Sequence, residues 1–181
     1  MVVCAAPPAQ QIEELIRLAQ SDGWSVCVIP SPAAAEWLDL AALAEATGHP
    51  VCARARRPDE PKLPPADAVA VAPATFNTIN KCAAGINDNA ALGVVNEAAG
   101  LGIPVVVAPY VKATLAAHPS FARALGELAA FGFTILANNT IQPPEGTVTF
   151  VWRPVLEALS EMDPRTPLTS AIPSGQGVRR S

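Results

Sequence analysis

Apolar positions along this chain follow two alternating patterns. Met1 to Cys4 and Trp24 to Ile29 (WSVCVI) are short apolar runs, which predicts strands. Between them, Ile12, Leu15, Ile16 and Ala19 recur at helical spacing from Pro8 to Gln20, with Pro8 near the first turn and Gly23 just past the end, as a helix that starts at proline and stops at glycine should. Ala33 to Thr47 predicts a helix or helix pair carrying Trp37, Leu38, Ala41 and Ala42, and Pro50 to Arg54 a third, weaker strand. Asp67 to Ala72 (DAVAVA) reads as a small-residue strand ending at Pro73, followed by helices over Thr78 to Ala84 and Asp88 to Gly100. Ile103 to Ala108 (IPVVVA) is the continuous apolar run of a strand buried on both faces. Pro119 to Phe131 predicts a helix, Gly132 to Leu136 a strand and Trp152 to Leu159 a last helix. Strands alternating with helices imply an α/β fold, a doubly wound parallel sheet in a single domain over 1–162. The Pro, Ser, Thr, Gly and Arg of 163–181 predict a mobile tail.

Composition narrows this picture. The chain has 181 residues, 50% hydrophobic and 15% charged, enough to bury a core without disulfides or a structural metal. Lys and Arg number 12 against 16 Asp and Glu, a net charge of −4, so a nucleic-acid partner, which needs a basic face, is excluded. Cys4, Cys27, Cys52 and Cys82 form no CxxC pair and have no His at ligand spacing; they read as buried thiols of a reducing compartment, with no metal site. No apolar run reaches the ~20 residues of a membrane helix, and the N-terminus lacks the order of a signal peptide. The expectation is a cytoplasmic protein with no membrane partner.

In a doubly wound sheet, ligands bind beyond the carboxyl ends of the strands, which points to the loops after Cys4, Ile29, Ala72 and Ala108. The first, Cys4-Ala5-Ala6-Pro7-Pro8, lacks GxGxxG, and no Walker GxxxxGK[ST] occurs, so neither a nicotinamide nor a P-loop site is expected. Ser31, between a strand and a helix, can hold a phosphate monoester or simply cap the helix. The loop Pro73 to Lys81 (PATFNTINK) crowds Thr75, Asn77, Thr78 and Asn80 into a helix start. Asn77 or Thr78 can serve as the cap, but four polar side chains exceed what one cap requires.

The stretch Pro73 to Leu92, PATFNTINKCAAGINDNAAL, together with the strand before it and IPVVVAP after it, resembles the PASANT segment of the homo-oligomeric flavin-containing cysteine decarboxylases. That family includes phosphopantothenoylcysteine decarboxylase and the peptide decarboxylases of epidermin, mersacidin and cypemycin biosynthesis; related sequences include flavin prenyltransferases and flavin-binding regulatory subunits. The resemblance implies a Rossmann-like flavoprotein with FMN as cofactor (FAD being possible), trimers often arranged as dodecamers, and a substrate that is a Cys-terminated peptide or a small cysteine-containing molecule. It places Ser31 at the FMN phosphate and Ala5 and Ala6 in the family's Gly-Ser loop. Pro73, Ala74, Thr75 and Phe76 fall at the isoalloxazine ring, with Thr78 beside them, and Asn77 falls at flavin or the substrate carboxylate. Asp88 matches an acidic residue at a helix start and is expected to cap it.

Two departures from the family accompany these matches. Fourteen positions before Pro73, where the decarboxylases carry a histidine, this chain has Asp59; after IPVVVAP, Lys112 stands where the family's clamp has asparagine. The expected reaction is oxidative decarboxylation of a C-terminal cysteine to an enethiol, with Lys112 or Asn77 gripping the carboxylate and Asp59 assisting the thiol. His49 and His118, both next to prolines, read as structural residues. The missing His and Asn favour a rival reading, a flavin-binding subunit without turnover, regulatory or scaffolding, and a prenyltransferase-like enzyme is a third.

Overall fold

The computed structural model describes residues 1–54, 57, 59 and 62–162; the expected tail over 163–181 lies outside them. Five strands, β1 (Val2–Val3), β2 (Ile29–Pro30), β3 (Val69–Ala74), β4 (Val105–Pro109) and β5 (Thr134–Ile135), form one sheet in the order β2-β1-β3-β4-β5. Every pairing is parallel. A 3₁₀ turn over Pro7–Gln11 leads into α1 (Ile12–Ser21); then come α2 (Pro32–Ala35), α3 (Leu40–Thr47), α4 (Phe76–Ala83), α5 (Ala90–Leu101), α6 (Ala113–Ala116), α7 (Pro119–Ala130) and α8 (Arg153–Glu161).

The sheet is doubly wound because its strands are apolar on both sides. Side chains alternate along a strand, so Val69, Val71, Val105 and Val107 face one core with Ile79, Leu92, Val95, Phe121 and Leu128 from α4, α5 and α7. Ala70, Ala72, Val106 and Ala108 face the other, with Ile12, Leu15, Ile16, Leu43, Val155 and Leu156 from α1, α3 and α8. Helix α3 owes its boundaries to local chemistry. Asp39 caps α3 by accepting from the Ala41 and Ala42 N–H groups, at 3.1 and 3.0 Å, and Gly48 ends it in the left-handed region at φ 69°, where glycine avoids the Cβ penalty.

The structure corrects several sequence expectations. The run from Trp24 to Ile29 pairs only at its end, because β1 begins at Val2 and offers residues 24–27 no ladder; Ile29 N–H donates to the Met1 carbonyl at 2.9 Å. Residues 50–54 are not a strand, and the Cys52 N–H to Val28 carbonyl bond, at 3.2 Å, is no ladder. Of the two forms expected for 33–47, the structure has the helix pair, α2 and α3, parted over residues 36–39. Asp88 does not cap α5; Asn89 does, accepting from Leu92 N–H at 3.1 Å. Helix α4 begins at Phe76, two residues before the expected start, with Thr75 at its N-cap position, so neither Asn77 nor Thr78 is the cap.

Candidate functional site

Strand order decides where a ligand can enter. β1 lies between β2 and β3, so the chain leaves it in one direction for β2 and crosses back over it to β3, and a crevice opens outside the carboxyl ends at that switch point. A cavity of about 970 Å³ occupies this position, at the large end of the ~300–1,000 Å³ typical of ligand pockets. A smaller, mainly apolar crevice of about 550 Å³ lies at the amino ends of the strands, between Leu15, Val26, Leu101 and Leu159. The hydroxyls and amides collect at the carboxyl end.

The loop after β1 brings Ala5, Ala6 and Pro7 to the cavity wall, and the loop after β2 brings Ser31, Pro32, Ala33 and Trp37. Ser31 caps α2, its Oγ accepting from Ala34 N–H at 3.3 Å; the hydroxyl proton is left to donate elsewhere. After β3 come Thr75, Phe76, Asn77 and Thr78. Thr75 makes no side-chain cap bond, so the first N–H groups of α4 meet the cavity without a capping oxygen. The Cys4 thiol donates to Thr78 Oγ1 at 3.2 Å, and the Thr78 and Thr75 hydroxyls lie 3.2 Å apart. Burial raises the Cys4 pKa, so this thiol stays protonated and acts as a donor.

Lys112 and Asn77 are both exposed on this wall, and neither side chain has a partner among the described residues. The other cavity-lining ammonium, Lys81, is committed to Asp88 at 2.6 Å, and Asn89 Nδ2 donates to the second Asp88 oxygen at 2.8 Å. The Lys81 hydrogen bond holds the Asp88 carboxyl below its ordinary pKa. Among the described lining residues, free positive charge is therefore concentrated on Lys112.

The structure gathers Ala5, Ala6, Ser31, Thr75, Phe76, Asn77, Thr78 and Lys112 around one cavity. Pro73 and Ala74 end β3 instead and are buried; their carbonyls accept from Cys4 N–H at 3.1 Å and Tyr110 N–H at 2.9 Å. Asp59 is exposed and does not line the cavity. His118 caps α7, with Nδ1 accepting from Ser120 N–H at 3.1 Å, and its ring meets Phe76 edge-on at 5.9 Å. His49 bonds the Ser25 hydroxyl at 2.9 Å. Sequence reasoning missed Asn139 and Gln142, which line the cavity from the loop after β5. Their place after a predicted strand was the available signal, and Asn139 further stands out for its φ of 62°, an uncommon conformation outside glycine.

A hydroxyl-rich and N–H-rich wall at a switch point, carrying the Lys112 ammonium and with room for a ring system, suits an α/β protein that binds a nucleotide-like cofactor. The family model for Flavoprotein matches residues 3–162, and the chain belongs to that family. Among solved structures it resembles the FMN-dependent cysteine decarboxylase TvaF of thioviridamide biosynthesis, with 25% identity over 87% of this chain and 94% of that one and a TM-score of 0.68. It also resembles the cypemycin decarboxylase CypD (21% identity, 87% and 88% covered, TM-score 0.67). A third is the epidermin biosynthesis protein EpiD from Staphylococcus aureus (22%, 75% and 79%, 0.63). No curated protein sequence matches the chain significantly. Among the described residues, no helix is long and apolar enough to cross a membrane.

Proposed function

We propose that this protein binds FMN in the switch-point cavity and oxidatively decarboxylates a C-terminal cysteine, that of a ribosomal precursor peptide, to an enethiol. The observation that carries the reading is the Lys112 ammonium, unpartnered among the described residues, on the same cavity wall as Asn77 and the Thr75–Thr78 hydroxyls. The donor set suits FMN. Ser31, Ala5 and the uncapped start of α4 would hold it through hydroxyl and N–H groups, Ala6, whose N–H donates to the Cys4 carbonyl at 2.9 Å, would leave room for it at the wall, and Phe76 and Trp37 add aromatic surface. The chemistry FMN would supply there is a hydride acceptor for the cysteine β-carbon, creating the electron sink needed for loss of CO₂.

The chain's own residues must hold the carboxylate and promote thiol ionisation. Lys112 offers a charge-assisted bond to the carboxylate, and the Asn77 amide can donate beside it. A cysteine thiol of pKa ~8.5 is already partly ionised near neutrality, and an ammonium close by favours the thiolate further. Asp59 stands outside the cavity lining, so the thiol role first assigned to it passes to Lys112. Among the described lining residues one free ammonium matches one carboxylate, with no second free cation for a phosphorylated substrate; this favours a peptide over phosphopantothenoylcysteine. Exposed Trp37 and Leu115 on the cavity rim suit a homo-oligomer, trimeric or dodecameric, whose neighbouring copy covers them.

The absence of a free carboxylate or imidazole from the described cavity lining keeps a second reading open, a flavin-binding regulatory subunit without turnover. Anaerobic titration separates the two. Protein reconstituted with FMN should lose its visible flavin band on addition of a Cys-terminated peptide. Stoichiometric FMN whose band persists would point to the silent subunit.

A further inference from the structure

We propose that Asn138 is a positioning residue, whose side-chain amide fixes the backbone of Val111 and thereby aims Lys112 at the substrate carboxylate. The inference rests on the reading of Lys112 given above. Strand β4 stops at Pro109 and α6 starts at Ala113, so the peptide groups between them lack regular partners. Tyr110 N–H is taken by Ala74 on the β3 side, and Asn139 N–H donates to the Pro109 carbonyl from the β5 side, at 2.9 and 3.1 Å.

Val111 is satisfied by a side chain instead. Its N–H donates to Asn138 Oδ1 at 3.1 Å, and Asn138 Nδ2 donates back to the Val111 carbonyl at 3.0 Å. A planar amide thus takes the place of a backbone peptide where β5 has ended, and closes a two-bond ring on one residue. The Val111 side chain is buried, 3% exposed, in the core shared with α4 and α7, so this residue is held by both its backbone and its side chain.

Lys112 follows directly. Its carbonyl accepts from Leu115 and Ala116 N–H, both at 2.9 Å, which pins the backbone on the α6 side as Asn138 pins it on the other. Freedom at Lys112 is then confined to its own side chain, which lines the cavity without a partner among the described residues. A cation on a fixed backbone spends less ordering entropy on meeting a carboxylate than one on a loose loop. Removing Asn138 also leaves two half-buried backbone groups unpaired, which favours a different loop conformation.

The test uses the full chain loaded with FMN and a non-reacting probe, a tripeptide ending in serine, supplied with a free carboxylate or as the carboxamide. Calorimetry gives the preference for carboxylate over carboxamide in the wild type, Asn138→Ala, Lys112→Met and the double variant. The wild type should prefer the carboxylate by about tenfold or more. Each single variant should lose most of that preference, and the double variant should lose no more than Lys112→Met alone, because both changes act through one ammonium. Asn138→Asp keeps the acceptor for Val111 N–H, so it should fold even if the alanine variant does not, with a preference between those of wild type and Lys112→Met. An undiminished preference in the Asn138 variants, or a loss that adds in full to that of Lys112→Met, would overturn the positioning role alone. A wild type without preference, or Lys112→Met with the preference intact, would overturn the reading of Lys112 and the role of Asn138 with it.

Discussion

Lys112→Met is expected to lower kcat/KM for a Cys-terminated peptide by about 10- to 100-fold, the equivalent of one charge-assisted hydrogen bond of ~1.5–3 kcal/mol. The reasoning is electrostatic. Lys81 is neutralised by Asp88, so Lys112 supplies the free positive charge that the described cavity lining offers to a carboxylate. Methionine keeps the length and the apolar stem while removing the ammonium. Because Lys112 is exposed and unpartnered among the described residues, its loss strands no buried group, and stability should change by no more than ~0.5 kcal/mol. FMN content should also stay at the wild-type level, since hydroxyl and N–H donors on other loops are proposed to hold it. Steady-state kinetics alongside flavin absorbance would check both parts; unchanged kcat/KM would remove Lys112 from the substrate site.

The second large effect concerns the fold that carries the site. Trp152, just before α8, is 1% exposed in the core against β3 and β4 and packs on Phe150 at a centroid distance of 6.2 Å. Its Nε1 is buried without a hydrogen-bond partner among the described residues. Trp152→Ala should therefore destabilise by ~3–5 kcal/mol through lost burial and a residual cavity. Trp152→Phe should cost much less, because it keeps an aromatic ring and deletes a donor that pays a desolvation penalty in the native state. Denaturant unfolding of the two variants gives the comparison directly. Equal losses would mean that the indole nitrogen carries no such penalty.

The contrast between these residues explains what was legible in the sequence. Val105 to Ala108 announced a central strand because burial on both faces leaves no polar position to blur the pattern. Ser31 and the Thr75–Thr78 cluster announced the site because polar groups massed at a strand end have few structural uses. Residues 24–28 misled for the opposite reason. Their apolar character reflects burial of Val26 and Val28 in a core, whereas strand pairing needs a neighbour, and β1 does not extend back to meet them. Pro73 and Ala74 carry the matched motif, yet their carbonyls are consumed by sheet and loop bonds, a tertiary fact with no local signature. Asn138 escaped notice because its partner, Val111, lies 27 residues away in the chain, and Asn139 because its N–H meets the distant Pro109 carbonyl.

The oxidative decarboxylation itself is tested most directly by mass. FMN-loaded protein incubated anaerobically with a Cys-terminated peptide should yield a product lighter by about 46 Da, the loss of CO₂ and two hydrogens, with flavin bleached in step. The carboxamide of the same peptide should remain intact. An unchanged mass across a panel of Cys-terminated peptides and phosphopantothenoylcysteine, with FMN bound at full stoichiometry, would contradict the decarboxylase account and leave a flavoprotein without this chemistry.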